Sequence, residues 1–207
     1  MNTLSQTVYI VDDDPSITDS LLRLLAVENL EALAFSSAEG FMGICGHTLR
    51  GCILLDINMP QMSGIELQRW LVDNGIDLPI IFLTGSGDIP LSSQAFRTGA
   101  LDFLEKPFDI GKLLERIQEA LAREAGQWHD RVRRDLLRQR HARLTPREKE
   151  ILKWVSAGYS SKDIAGVVGI SSRTIDVHRA HMAAKLEVES LAELVLVALE
   201  LDADLGI

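Results

Sequence analysis

The stretch YIVDDDP, residues 9–15, sets three carboxylates directly after an apolar run. Adjacent like charges repel, and the arrangement becomes favourable where a hard cation gathers some of them. Other apolar runs end on polar groups too: Asp56 closes CILLD, Thr84 closes PIIFLT, and Lys106 follows LDFLE. Mg²⁺ takes oxygen ligands and keeps several waters, so a few carboxylates are enough for it. Asp13 and Asp56 are the expected direct ligands, Asp12 acts through a water, and the backbone carbonyl at Asn58 adds another oxygen. Asp56 then keeps one oxygen free as a nucleophile, and a carboxylate that attacks phosphorus forms an acyl phosphate. Lys106 would offset charge on the transferring group and Thr84 would donate a hydrogen bond to it. Asp14 precedes Pro15 and is expected instead to cap a helix. One such acid alone is ordinarily solvated or a cap; the joint set points to phosphoryl chemistry.

These groups can meet only if the elements bring them together. Five apolar runs, 8–11, 32–35, 52–56, 79–84 and 101–105, alternate with segments of helical spacing. Ile17, Leu21, Leu24 and Leu25 form one helical stripe; Leu67, Trp70 and Leu71 form another. Strands alternating with helices predict a parallel sheet covered on both faces, whose functional crevice lies at the carboxyl ends of the strands. Asp12, Asp13, Asp56, Thr84 and Lys106 all fall at that edge.

From residue 109 the pattern is helical. Leu113, Ile117 and Leu121, then Trp128, Val132 and Leu136, read as one long stripe interrupted by Gly126. A glycine inside a helix costs about 1 kcal/mol relative to alanine, so a break near Gly126 is expected. The stretch 123–143 reads as a helical, Arg-rich linker, either solvated or paired with a second chain. From 144 onward four short helices are expected. Thr145-Pro146-Arg147-Glu148 is a helix start with a capping box, and Ser160 or Ser161, Ser171 and Ser190 start the others. Gly169 lies between the second and third of these, the pattern of a helix-turn-helix.

The third of these helices, SSRTIDVHRAHMAAKL, has Ile175, Met182 and Leu186 on an inward stripe. Arg173, Asp176, Val177, His178, Arg179 and Lys185 are available outward. A helix that reads the major groove needs cations for phosphate and a few groups for base edges. Arg173 and Arg179 suit phosphate or guanine, Asp176 accepts from cytosine, and Val177 touches a thymine methyl. Ser171 and Ser172 at the helix N-terminus suit a phosphate.

Charge is unevenly spread over the 207 residues, whose net charge is −9. Residues 1–122 hold 7 Lys and Arg against 17 acids, 123–143 hold 7 against 3, and 144–207 hold 7 against 10. The acidic total argues against a nonspecific nucleic-acid coat and leaves room for a local basic face. Cys45 and Cys52 form neither a disulfide framework nor a metal motif; Cys52, inside CILL, reads as a small buried hydrophobe. No signal peptide or bilayer-length apolar run is apparent, and the expected location is the cytoplasm.

DD after the first strand, D-x-N-M-P after the third, LTG after the fourth and EKP after the fifth are together specific. Residues 7–122 resemble the receiver domain of bacterial two-component response regulators. The stretch TGSGDIPLSSQAFRTGALDFLEKPF is similar to the FixJ-like subgroup, with Ser86 where that subgroup often has His. The resemblance implies a flavodoxin-like (βα)5 fold with Asp56 as phosphoacceptor, Asp12 and Asp13 as the acidic pair, and Thr84 and Lys106 as the signalling pair. It further implies Phe103 as the aromatic switch and a cis peptide at Lys106-Pro107. Its output surface would be the fourth and fifth receiver helices with the fifth strand, Ile89 and Phe96 among them.

Residues 144–197 resemble the LuxR-type helix-turn-helix of the NarL/FixJ regulators. Thr174, Val177, His178 and Lys185 match its pattern, Lys162 lies in the helix before, and the final helix would supply a dimer surface. Glu187 stands where that family often has Gly, and Glu189 adds negative charge nearby. The organisation expected is a receiver over 1–122, a linker over 123–143 and a DNA-binding domain over 144–207. The function expected is phosphorylation-controlled transcriptional regulation, not enzymatic turnover. The partners expected are a sensor histidine kinase, promoter DNA, RNA polymerase and a second copy of the chain, with Mg²⁺ as cofactor. Two alternatives stay open on the residues alone: a Mg²⁺-dependent phosphatase with an aspartyl-phosphate intermediate, and a protein-binding adaptor that needs no DNA.

Overall fold

A computed structural model of the chain describes residues 5–46, 49–85 and 101–205. The chain divides into two compact units, Met1–Trp128 and His129–Ile207. In the first, β1 (Thr7–Val11), β2 (Ala32–Phe35), β3 (Gly51–Asp56), β4 (Ile80–Thr84) and β5 (Asp102–Glu105) form one parallel sheet in the order β2-β1-β3-β4-β5. Every residue of β3, the central strand, is buried, which explains its unbroken apolar run.

Period-two alternation sorts the strand side chains between two cores. Tyr9, Val11, Ile53, Leu55, Ile80 and Phe82 face α2 (Ala38–Met42) and α3 (Gly64–Asp73) through Phe41, Leu67 and Leu71. Val8, Ile10, Cys52, Leu54, Ile81 and Leu83 face the other way, onto Leu21 and Leu25 of α1 (Pro15–Val27) and Leu113 and Ile117 of α4 (Ile110–Ala142). Cys52 is thus a core side chain, as its neighbours suggest. The predicted strands and stripes are present; Ile17, Leu24 and Trp70 lie at the core margins.

α4 runs through Gly126 without the expected break, and the division between the two units falls within the 123–143 stretch. On the first unit's side, Arg50 donates through Nε to Glu124 Oε1 at 2.7 Å and through Nη2 to Oε2 at 3.1 Å. Gln6 Nε2 donates to the same carboxylate at 2.6 Å, and the Arg50 guanidinium lies 4.6 Å from the Trp128 ring centroid. Polar anchoring thus holds both sides of Gly126. The apolar stripe also shifts at this point: Leu113 and Ile117 are buried in the first unit, whereas Leu137, not Val132 or Leu136, is buried in the second.

The second unit packs α5 (Pro146–Ser156), α6 (Ser161–Val168), α7 (Ser172–Leu186) and α8 (Leu191–Leu205) around Ile151, Leu152, Val155, Ile164, Ile175, Met182, Leu186 and Leu201. Thr145 and Ser160 each close a capping box, and Ser171 caps α7. Gly169 ends α6 at φ 75°, a left-handed conformation that only glycine adopts cheaply, and this turns the chain into α7. Among the described residues no helix is long and apolar enough to cross a membrane.

Candidate functional site

The carboxyl edge of the first unit's sheet gathers most of the predicted groups. Lys106 donates to Asp12 Oδ2 at 2.7 Å and to Asp56 Oδ1 at 2.6 Å. Asp12 and Asp56 are buried, at 1% and 6% exposure. Their other oxygens are fixed by the backbone: Asp14 N–H donates to Asp12 Oδ1 and Asn58 N–H to Asp56 Oδ2, each at 2.9 Å. One ammonium between two nearly dry carboxylates leaves the corner with a net negative charge. Burial alone would lower the Lys106 pKa, but its bonds to the two carboxylates outweigh this and hold it above the ordinary lysine value.

Local structure explains how these groups arrive. The Lys106-Pro107 peptide is cis, and Lys106 N–H donates to Thr84 O at 2.7 Å, tying the end of β5 to the end of β4. Thr84 is buried at that end. Phe103 is partly buried and stacks on Phe82, with centroids 5.2 Å apart and planes 14° from parallel. Asp14 caps α1 through Ser16 N–H at 2.8 Å, the separate role expected of it. Asp13 is exposed beside its two neighbours. Among the described residues no three Asp, Glu, His or Cys side chains stand together as a metal-holding group. Asp12 and Asp56 converge on Lys106 instead. The donor class still fits Mg²⁺: all candidate ligands are hard oxygens in a corner whose negative charge exceeds its positive charge. Ser86, Ile89 and Phe96 lie outside the described residues.

One residue of this corner was not singled out from the sequence. Gly64 opens α3 and donates to Ile57 O at 2.9 Å. A Cβ there would stand 2.2 Å from Asp56 O, so only glycine lets α3 pack this closely behind Asp56. The signal available was a glycine right after a helix-capping serine, in PQMSG.

In the second unit, Arg173, Thr174, Asp176 and Val177 are exposed along α7, and Lys162 is exposed on the first turn of α6. Ser171 and Ser172 are exposed at the N-terminus of α7, and the Ser171 hydroxyl accepts from Thr174 N–H at 3.1 Å. His178 and Arg179 are partly buried, and Arg179 Nη2 donates to Tyr159 O at 2.7 Å. Lys185 does not stand free: its ammonium contacts Glu148 Oε1 at 3.0 Å and Oε2 at 2.7 Å. Glu148, 3% exposed, also accepts from Thr145 N–H at 2.7 Å. Burial raises its pKa, but Lys185 and Thr145 outweigh this and hold the carboxyl below the ordinary glutamate value. Part of the basic stretch before α5 is paired with acids of the same unit. Arg138 grips Asp204 by two bonds of 2.7 and 2.8 Å, Arg133 meets Glu200 at 2.7 Å, and Arg140 pairs with Glu187.

Comparison with known proteins agrees with both units. Residues 8–118 match the model of the response regulator receiver domain, and residues 142–198 match that of bacterial regulatory proteins of the luxR family. The response regulator protein TmoT of Ectopseudomonas mendocina is 38% identical over 195 residues, covering 94% of this chain and 89% of TmoT. The transcriptional regulatory protein FixJ of Azorhizobium caulinodans is also 38% identical over 195 residues, covering 94% and 92%. Among solved structures, the response regulator StyR aligns with a TM-score of 0.86 at 39% identity, covering 95% of this chain and 99% of that one. Full-length FixJ from B. japonicum aligns with a TM-score of 0.58 at 37% identity, covering 95% and 97%. A receiver fold with its acids and lysine at one sheet edge, followed by a capped helix-turn-helix, therefore places this chain among the two-component response regulators that carry a LuxR-type DNA-binding domain and regulate transcription.

Proposed function

We propose that Asp56 is the phosphoacceptor and that its phosphorylation drives dimerisation and promoter binding. The observation that carries this reading is the Lys106 ammonium between Asp12 and Asp56. It holds the nucleophile in place and offsets charge where a phosphoryl group arrives. A carboxylate oxygen of Asp56 attacks phosphorus, the P–N bond of the donor kinase's phosphohistidine breaks, and the imidazole leaves with the bonding pair. The acyl phosphate brings about −1.5 to −2 charges and new acceptor oxygens. Lys106 moves onto these oxygens, the Thr84 hydroxyl donates to them, and Phe103 repacks into the space Thr84 leaves. Asp13, Asp56 and the Asn58 carbonyl, with Asp12 through a water, would hold Mg²⁺, which would supply charge neutralisation at this corner. The chain consumes one phosphoryl group per switching event and needs no separate substrate, so it acts as a regulator, not an enzyme.

A cavity of about 610 Å³ is lined by Ile17, Leu21, Leu24, Pro107, Phe108 and Lys106, and it gives a sensor histidine kinase an apolar seat that reaches Lys106. The output face is β5 with the receiver part of α4. The second unit reads DNA with α7: Ser171, Ser172, Lys162 and Arg173 take phosphates, and Thr174, Asp176, Val177, His178 and Arg179 face bases or the groove wall. Leu191, Leu196 and Leu199 stay exposed on α8 and suit a second copy, with half-sites about one helical turn apart. RNA polymerase is the partner at the promoter, in the cytoplasm. The domains so assigned are the receiver over 1–122, the linker over 123–143 and the DNA reader over 144–207.

The test treats wild type and D56N with acetyl phosphate or phosphoramidate in Mg²⁺ and reads mass by light scattering. Wild type becomes dimeric and D56N does not. Equal dimerisation of both proteins overturns the reading.

A further inference from the structure

Lys185 matches the pattern of a DNA contact, yet its surroundings give it another task. Its ammonium lies against both oxygens of Glu148, 37 residues away, on a carboxylate that is almost fully buried. That carboxylate is fixed from its own side as well, because the Thr145 N–H donates to it in the capping box that starts α5. One residue beyond Lys185, Arg140 Nη1 donates to Leu186 O at 3.1 Å. The apolar contacts of α7, through Ile175, Met182 and Leu186, are non-directional, and Arg179 of the same helix donates to Tyr159 O. A charge-assisted bond to a buried, doubly held carboxylate is directional and adds a restraint on rotation and axial position at the far end. Lys185 also lies 13 residues past the start of α7, about 20 Å along the axis, whereas a reading helix contacts base edges with its N-terminal part. Moving the ammonium to a phosphate would leave Glu148 buried and uncompensated.

We infer that Lys185 is a positioning residue: through Glu148 it sets the rotation and depth at which α7 meets DNA, and it does not itself touch DNA. The inference rests on α7 being the reading helix. At that distance from the reading end, a small rotation at Lys185 shifts Asp176 and Val177 relative to the bases. The Lys185–Glu148 pair therefore governs discrimination between sequences more than overall attraction to DNA.

The test uses the full chain, phosphorylated with phosphoramidate. One probe is a duplex enriched from a random-sequence pool by the wild-type protein, and the other is an unrelated duplex of equal length. The variants are E148Q, which keeps an acceptor for the Thr145 cap, together with K185M and K185R. Circular dichroism fixes a temperature at which all are folded. E148Q and K185M each weaken binding to the selected duplex roughly tenfold, a step of about 1.4 kcal/mol. Both leave binding to the unrelated duplex and the slope of log affinity against log salt unchanged. K185R, which can still bridge to Glu148, keeps most of the discrimination. A phosphate contact predicts the opposite signs: E148Q would release the lysine and tighten binding to both duplexes, and K185M would make the salt slope shallower by about one. That result, or an equal loss on both duplexes, overturns the inference. R173A and V177A are measured alongside; if neither affects the selected duplex, α7 is not the reading helix and the inference falls with that reading.

Discussion

Two buried charge clusters show what individual residues contribute. At the sheet edge, Asp12 and Asp56 share one lysine; in the second unit, Glu148 has its own. Glu148 binds its proton less readily folded than unfolded, since burial is outweighed by Lys185 and Thr145. Its contribution to stability is fully present above the unfolded glutamate value, about 4.3, and is lost as pH falls through the lower folded value. Replacing Glu148 with Gln should flatten the acid limb of the stability curve below the unfolded glutamate value. Urea unfolding across that range, monitored on the second unit, measures it, and an unchanged slope would show that the pair does not couple to folding. Gly64 behaves differently because its contribution is the absence of a side chain. Gly64→Ala drives a Cβ toward Asp56 O and should cost about 2 kcal/mol, with slower labelling by acetyl phosphate. Normal labelling kinetics in a stably folded G64A protein would count against tight packing behind Asp56.

Elements were legible where one local period and one set of end signals agreed. The five strands follow from short β-branched and apolar runs, and the caps at Asp14, Thr145, Ser160 and Ser171 from side chains that bond the next turn. The gathering of Asp12, Asp56, Thr84 and Lys106 followed from strand polarity alone, because all four sit at carboxyl ends. α4 was less legible because its stripe serves two different cores and the partner that grips Glu124 beside Gly126 is Arg50, 74 residues away in sequence. Nothing local announces such a pair, and the same holds for Glu148 and Lys185. Breaking the Arg50–Glu124 bond should be severe, since both side chains are at most 10% exposed. Glu124→Gln is expected to cost about 3 kcal/mol and to raise hydrogen exchange around residues 121–130. The end of α7 gives a contrary case. Glu187 caps it at φ 58°, a left-handed conformation that costs an L-residue roughly 1 kcal/mol. Its pairs with Arg140 and Arg143 lie at the surface, where ion pairs contribute little. Glu187→Gly should therefore stabilise the second unit by about 0.5 kcal/mol; a lower melting temperature would mean that the arginine tether outweighs the backbone strain.

For the whole molecule, composition and structure divide the charge differently. The linear sequence shows an acidic front, a basic middle and a mildly acidic end. In the folded chain the arginines at 133, 138 and 140 pair with Glu200, Asp204 and Glu187, so part of the basic run is offset by acids of the second unit. The apolar clusters divide in the same way. The two that sandwich the sheet share its strands, whereas among the described residues the one that fills the helical unit has no residue in common with either. Separate cores imply separate cooperative transitions, because cooperativity follows shared burial. Calorimetry should resolve two endotherms. Beryllofluoride with Mg²⁺, standing in for the phosphoryl group, should raise only the receiver transition, since a ligand stabilises only the fold that binds it. E124Q should lower that transition alone and K185M only the other. A single endotherm that all three perturbations move together would show that the continuous α4 helix fuses the two units into one cooperative fold, and phosphorylation would then act on DNA binding through stability as well as through the proposed dimerisation.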